Sequence, residues 1–333
     1  MKGGATSRIL VKVNHARQPN YSGDLRMALI RRYNLGRAFA SRTVPLAGRV
    51  WRTAGNLFFR YHQLEPKATC PQTLLLFSDD KHLDLLVENL WTLANTWQAL
   101  PRLCIVGDLK ASEHTFRKVF DWWPQPWDFI PYEQIEIAFL NEHRDWLVEF
   151  GRHHIFGRKL AAILYSARKA PTLYSDSDVL WLGAPRFLDV TDPKAPFLLV
   201  STGPYPSYCE EMIDSSSQDL MQPPYTCAGL LYLFQWPWPE SVLKEWVNRA
   251  LAVPPHAFAE QTIFGLLARR YGGYIPDGEI ASFFDDWFFF LPACHHPDWS
   301  ARHYFGPVRH HFHRDAFLMR WRFLRRPSLI EKF

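Results

Sequence analysis

The chain has 333 residues, of which 47% are apolar, with 14 Trp, 13 Tyr and 25 Phe; that is ample for a packed core in one large domain or two smaller ones. The net charge of +5 hides an asymmetry, because residues 1–64 hold twelve Lys/Arg against a single acid, Asp24, and the remainder is acidic, so the overall charge does not make the main body a nucleic-acid binder. Five scattered cysteines without CxxC spacing argue against a disulfide framework and a cysteine-ligated structural zinc site and fit a reducing compartment.

In chain order, residues 1–64 read as a basic, partly helical extension, and 65–333 as the organised domain. The plain reading of the extension is a segment packed on that domain or partly disordered. Its charge also makes it a candidate for peripheral contact with anionic lipid or an acidic partner. No run of 18 apolar residues and no apolar leader core is present, so no spanning helix or signal peptide is expected. The expected location is cytoplasmic, including the inner membrane face.

TLLLF (73–77) has the length and composition of a buried strand, with Ser78, Asp79 and Asp80 as capping candidates behind it. Leu83, Leu86, Val87, Leu90, Leu93, Ala94 and Trp97 recur at three- and four-residue steps, which predicts an amphipathic helix ending before Pro101. LCIVG (103–107) predicts a second strand, 112–120 a helix, and WWPQPW (122–127) a break. FIPYEQIEIAFL (129–140) suits either strand or helix. Residues 153–169 read as one helix closed by Pro171. TLYSDSDVLWL (172–182) reads as a strand with its loop, and 196–201, 226–234 and 272–276 as strands; 241–252 and 256–271 read as helices. No internal repeat interrupts the series.

This rhythm predicts an α/β fold with a mixed, mostly parallel sheet and helices on both faces. Ligands of such sheets bind outside the carboxyl ends of the strands, where Asp176 and Asp178 would stand. A buried carboxylate is costly unless paired or bound to a cation. At i and i+2, both side chains point the same way if the strand runs through them, which suits a hard divalent cation, Mn²⁺ or Mg²⁺. The bland alternative is an acidic turn capped by its own backbone.

The apolar first strand, a basic helix residue, YSDSDVLW, the CAGLLY strand, the Glu260–Gln261 pair and a late histidine, in that order, resemble the GT-A glycosyltransferases over roughly 73–315. The resemblance implies a GT-A-like (Rossmann-like) fold and transfer from a nucleotide-diphospho-sugar, UDP- or GDP-linked, to a glycan, lipid or small-molecule acceptor, with no nucleic acid as partner. It implies that Asp176 and Asp178 hold the metal, Asp176 also approaching the donor. Lys159, with Arg158 as its rival, would meet the nucleotide or sugar, and Phe77 and Ser78 the base. Ala228 and Gly229 match a small-residue turn usually preceded by Asn, where this chain has Thr226 and Cys227. Glu260 and Gln261 would lie near the reacting sugar. His303 would complete the metal site, with His310, His311 and His313 as rivals, and Arg309 would contact phosphate, as guanidinium does bidentately. An inverting reaction needs a carboxylate base, for which Glu260, Asp285 and Asp286 are candidates. His295 and His296 with the late histidines form a weaker zinc alternative.

P-loop, GxSxG and GxGxxG patterns are missing, which removes three other enzyme classes. Two rival readings stand. One is a nucleotidyltransferase on a similar sheet, opposed by the absence of glycine from FSDDKH. The other is a catalytically silent sugar-nucleotide or glycan-binding protein.

Overall fold

The computed structural model describes residues 49–55, 64–189, 197–234, 239–282 and 299–325. Asp285, Asp286, His295 and His296 lie outside the described residues, as does most of 1–64.

Residues 49–55 form helix α1. The chain then runs through β1 (Ala68–Ser78), α2 (Leu83–Thr96), β2 (Ala99–Gly107), α3 (Glu113–Val119), β3 (Asp128–Pro131), α4 (Tyr132–Asn141), α5 (Asp145–His153), α6 (Ile155–Ala167), β4 (Thr172–Ser175) and β5 (Val179–Trp181). After these come β6 (Leu198–Gly203), β7 (Tyr225–Leu233), α7 (Glu240–Leu251), α8 (Ala259–Tyr271), β8 (Gly273–Tyr274), β9 (Ile280–Ala281), β10 (Ala301–His303) and α9 (Phe312–Arg325).

Seven strands form one sheet in the order β3-β2-β1-β4-β7-β6-β8, and β5, β10 and β9 form a second, three-stranded one. In the large sheet β1 pairs parallel with β2 and β4, β2 with β3, and β6 with β8, while β7 is antiparallel to β4 and β6. The expected mixed, mostly parallel sheet is therefore present. β1 sits inside it, and its side chains alternate between two cores. Leu75 packs with α4 to α8 residues such as Phe139, Leu160, Leu164 and Ile263 on one face. Leu74 and Leu76 pack with Leu86, Leu90, Leu93 and Phe116 of α2 and α3 on the other. Each of these buried leucines contributes roughly 1.5–3 kcal/mol. Parallel neighbours also align their carboxyl ends, so Ser78, Gly107 and Ser175 finish at one edge.

The ambiguous 129–140 stretch divides at Pro131. Phe129 and Ile130 pair with β2, and from Tyr132 the residues Ile135 and Phe139 bury one helical face. The helix expected over 153–169 starts later, because His154 is extended at φ −155°, ψ 149° and its ring nitrogen Nδ1 accepts the Phe156 N–H. α5 and α6 cross tightly at this corner. A Cβ on Gly157 would lie 2.1 Å from the Phe150 carbonyl oxygen, so the contact needs glycine.

The 172–182 stretch is not one continuous strand. Pairing in the large sheet stops at Ser175, and Val179 begins β5 of the small sheet. Asp176, Ser177 and Asp178 form the turn between the two sheets, so their side chains are directed by that turn and not by a strand pleat.

Candidate metal centre

Tertiary contacts bring the two aspartates of the turn against His303. β10 runs antiparallel to β5 with His303 opposite Val179, and the Tyr304 N–H donates to the Asp178 carbonyl at 2.8 Å. His303 Nε2 then lies 3.3 Å from Asp178 Oδ1 and 3.6 Å from Asp176 Oδ2. The second oxygen of each carboxylate is engaged elsewhere. Asp178 Oδ2 accepts from Arg309 Nε at 2.8 Å and sits 2.6 Å from a terminal guanidinium nitrogen. Asp176 Oδ1 accepts the Tyr174 hydroxyl and lies 3.0 Å from Lys159 Nζ. One oxygen of each acid therefore remains directed at Nε2, and the three residues offer ligand atoms within 4.8 Å of one another.

Two carboxylates and an imidazole suit a borderline-hard divalent ion such as Mn²⁺, and Mg²⁺ when the substrate adds oxygens. The other ring nitrogen supports this assignment. His303 Nδ1 is 3.2 Å from Cys227 Sγ, which takes the place of the carboxylate, carbonyl or water that usually orients a ligating histidine. Gly229 of β7 passes directly under the ring, where an added Cβ would lie 2.1 Å from Cε1. Only glycine allows that approach.

Charge shapes the site. Burial alone would raise the Asp178 pKa, but His303 and Arg309 overcome it and bring it to about 2. Burial opposes charge on His303 and on Cys227 too, yet their proximity, with Asp178, holds the imidazole well above its ordinary value and the thiol below its own. Lys159 is buried, donates to the Ala228 carbonyl at 2.9 Å and faces Glu260 Oε1 at 3.5 Å. Burial would lower its pKa, but Asp176 and Glu260 keep it above the usual lysine value. Glu260, only 2% exposed, is pushed up to about 7 by burial, against the pull of Lys159.

Arg158, the neighbour of Lys159, points elsewhere. Its guanidinium holds Asp108 beyond β2 at 2.6 and 3.2 Å. Gln261 accepts the Ala228 N–H at 3.2 Å and donates to the Ser207 carbonyl at 2.6 Å, tying α8 to the start of β7. Leu76 is in register with Ser175, so Phe77 and Ser78 lie at the same sheet edge as Asp176. Phe77 meets the Tyr132 ring edge-on at 6.4 Å. Among the rivals of His303, His311 is buried in the turn before α9, and His313 faces Asp84 at 3.5 Å, away from Asp178. The side chain of His310 lies outside the described set.

Three positioning residues escaped the sequence reading. Asn89 of α2 is fully buried; its amide nitrogen donates to Ser175 Oγ at 3.1 Å and to the Asp176 carbonyl at 2.9 Å, and its oxygen accepts the Trp181 indole N–H at 3.0 Å. Thr92, one turn on, accepts the Trp181 backbone N–H at 3.0 Å. The turn is thus clamped from both sides. A polar Asn on the apolar stripe of α2 was the available signal. Tyr174 stands two residues before Asp176, near the end of β4, and its hydroxyl donates to Asp176 Oδ1 across the start of the turn.

Tyr205, Ser207, Tyr208, Glu211, His256 and Phe258 help line a pocket of about 340 Å³, and Tyr205 meets Phe305, two residues after His303, at 6.3 Å between ring centroids. Cys209, Glu211 and His256 also offer ligand atoms within 4.8 Å of one another. Hydrogen bonds already occupy that group, from Cys209 Sγ to Glu211 at 3.3 Å and from the Phe258 N–H to His256 Nδ1 at 3.2 Å.

No protein-family model matches the sequence, and no curated protein does. Among solved structures, the chain is similar to the apo form of the glycosyltransferase GlyE of Streptococcus pneumoniae TIGR4, at 12% identity and a TM-score of 0.46, covering 76% of this chain and 63% of that one. A second GlyE structure aligns over 63% of this chain and 46% of its own, so the chain spans about half to two-thirds of the GlyE chains it matches. It is also similar to the galactosyltransferase LgtC in complex with donor and acceptor sugar analogues, at 18% identity and a TM-score of 0.42, covering 78% of this chain and 96% of that one. The mannosyltransferase Ktr4p of S. cerevisiae in complex with GDP aligns at 7% identity and a TM-score of 0.42, over 83% and 91% of the two chains.

Proposed function

We propose that this chain is a metal-dependent glycosyltransferase of the GT-A type, moving a sugar from a nucleotide-diphospho-sugar to an acceptor hydroxyl. The observation that carries the reading is the convergence of Asp176 Oδ2, Asp178 Oδ1 and the His303 imidazole at the carboxyl edge of the sheet. An acidic turn capped by its own backbone would not need a histidine from a distant strand facing both acids.

Bound there, Mn²⁺ or Mg²⁺ supplies positive charge that stabilises a departing diphosphate. The protein supplies orientation. Asn89, Tyr174 and Lys159 hold Asp176; Arg309 holds Asp178; Cys227 and Gly229 set the ring of His303. Lys159 is enclosed by Ala228, Asp176 and Glu260, so its part is to fix Asp176 and the start of β7, with Glu260 balancing its charge. Arg309 has a guanidinium about half exposed beside Asp178, and it is the cation of this group placed to meet donor phosphate. The pocket lined in part by Tyr205, Ser207, Glu211 and Phe258 is the space assigned to the acceptor.

The test is a screen of several nucleotide-sugars with Mn²⁺, read as released nucleoside diphosphate, beside Asp178→Asn checked for folding. Metal-dependent release from one donor, lost in the folded variant, is the expected result. No release together with no metal-dependent nucleotide binding by calorimetry would reduce the acids to a structural turn.

A further inference from the structure

Cys209, Glu211 and His256 form a second group of ligand-type side chains, outside the set of Asp176, Asp178 and His303. Cys209 opens the short turn Glu210–Met212, and His256 stands in the turn that leads into α8. Both turns are tied in place by backbone groups. The Cys209 N–H donates to Thr262 Oγ1 of α8 at 2.8 Å, and the Met212 N–H closes back on the Cys209 carbonyl at 3.1 Å. The Ala259 N–H, at the start of α8, donates to the His256 carbonyl at 3.1 Å. α8 therefore anchors both segments, and each of the three side chains offers a ligand atom within 4.8 Å of the others.

The hydrogen bonds in this group are those of its metal-free form. Cys209 Sγ reaches Glu211 Oε2 at 3.3 Å through its own proton. A cation that takes both atoms releases that proton to solvent. The Phe258 N–H meets His256 Nδ1 at 3.2 Å, so that nitrogen carries a lone pair, and coordination through it replaces a single backbone bond. Thiolate and carboxylate each bring one negative charge, which a divalent cation cancels; that balance suits a group whose sulfur is buried. Ligand type selects the ion. Sulfur and imidazole nitrogen favour Zn²⁺, whereas the carboxylate pair at Asp176 and Asp178 favours harder cations. Three protein ligands leave the fourth tetrahedral position to water. The scattered cysteines gave no zinc spacing in the sequence, because this set takes a single cysteine and joins it to a histidine from a different segment.

The geometry points to a zinc site made by Cys209, Glu211 and His256 in the wall of the pocket that Glu211 and His256 line. It uses no residue of the Asp176 centre and does not rest on the glycosyltransferase reading.

The experiment titrates the full chain, stripped of metal by a chelator, with Co²⁺ and then with Zn²⁺. Co²⁺ occupies zinc sites and reports on them, since a thiolate ligand adds a near-ultraviolet charge-transfer band and tetrahedral coordination intensifies the visible bands. Both features should appear with Co²⁺ and vanish as Zn²⁺ displaces it. Cys209→Ser should lose the charge-transfer band. His256→Ala should weaken Zn²⁺ binding about 100-fold or more, because losing only the outer partner of a ligand costs about 10- to 100-fold. His256 is half-buried, so this variant carries the prediction should Cys209→Ser misfold. The Co²⁺ and Zn²⁺ readouts hold whether or not the chain binds Mn²⁺. Absence of the charge-transfer band from the parent would overturn the site, as would Zn²⁺ affinity unchanged in His256→Ala. A band that survives Cys209→Ser and disappears in Cys227→Ala would overturn it too, by placing the sulfur ligand beside His303.

Discussion

Gly229 and His303 compete for one volume: a methyl group on the glycine would lie 2.1 Å from the imidazole Cε1 and 2.4 Å from Nδ1. Gly229→Ala must therefore displace the ring. Overpacking of this kind costs about 1–3 kcal/mol of stability. The larger effect should be on the metal, with Mn²⁺ affinity by calorimetry falling at least about tenfold as Nε2 moves off the two carboxylates. Unchanged affinity in the folded variant would remove His303 from the ligand set.

Cys227 directly precedes Ala228 and Gly229 in β7, and its Sγ faces His303 Nδ1 at 3.2 Å. Cys227→Ala should lower Mn²⁺ affinity about 10- to 100-fold through loss of that partner. Cys227→Ser should retain more affinity than the alanine variant, because a hydroxyl still offers the ring a hydrogen bond. Equal affinities in all three proteins would make the contact incidental.

Lys159 faces two acids from a buried position. Lys159→Met leaves Asp176 and Glu260 without their ammonium and should cost about 3–5 kcal/mol. Glu260→Gln added to it should recover part of that loss, since one uncompensated carboxylate is removed. Chemical denaturation of the two single variants and the double variant measures the coupling, and strict additivity would contradict the pairing.

Glu260 sets a pH dependence. Its pKa is raised from 4.5 to about 7, so the folded state binds its proton more tightly than the unfolded chain does. The stability it contributes is full below pH 4.5 and is lost as pH rises through about 7, by about 3 kcal/mol. In metal-free protein, the stability of the parent relative to Glu260→Gln should fall from about pH 5 to about pH 8. A flat difference across that range would mean that Glu260 ionises normally in the fold.

Much of the scaffold was legible in the chain because it follows from local hydrophobic period. The TLLLF strand, the α2 stripe and the acidic stop after TLYS needed no distant information. Segments that failed did so where local signals balance. FIPYEQIEIAFL carries both periods, and only the pairing of Phe129 and Ile130 with β2 assigns its first part to the sheet. The loop at Asp176–Asp178 was legible as a stop, but its equally apolar flanks did not show that they enter different sheets.

The sequence by itself determined which residue types were available: two acids around one serine, adjacent Arg158 and Lys159, a glycine in CAGLLY and several late histidines. Lys159 and His303 were ranked first only through the resemblance, since Arg158 and Lys159 differ by one residue and the histidines by a few. The tertiary structure decided. One helical step of about 100° turns Arg158 to Asp108 and Lys159 to Asp176. Antiparallel pairing of β10 with β5 carries His303 over Gly229, while His313 falls on α9 beside Asp84. Selection among chemically equivalent side chains depends on which neighbour fills the space beside each, and that neighbour comes from another element of the fold, 50 residues away for Arg158 and 74 for His303 over Gly229.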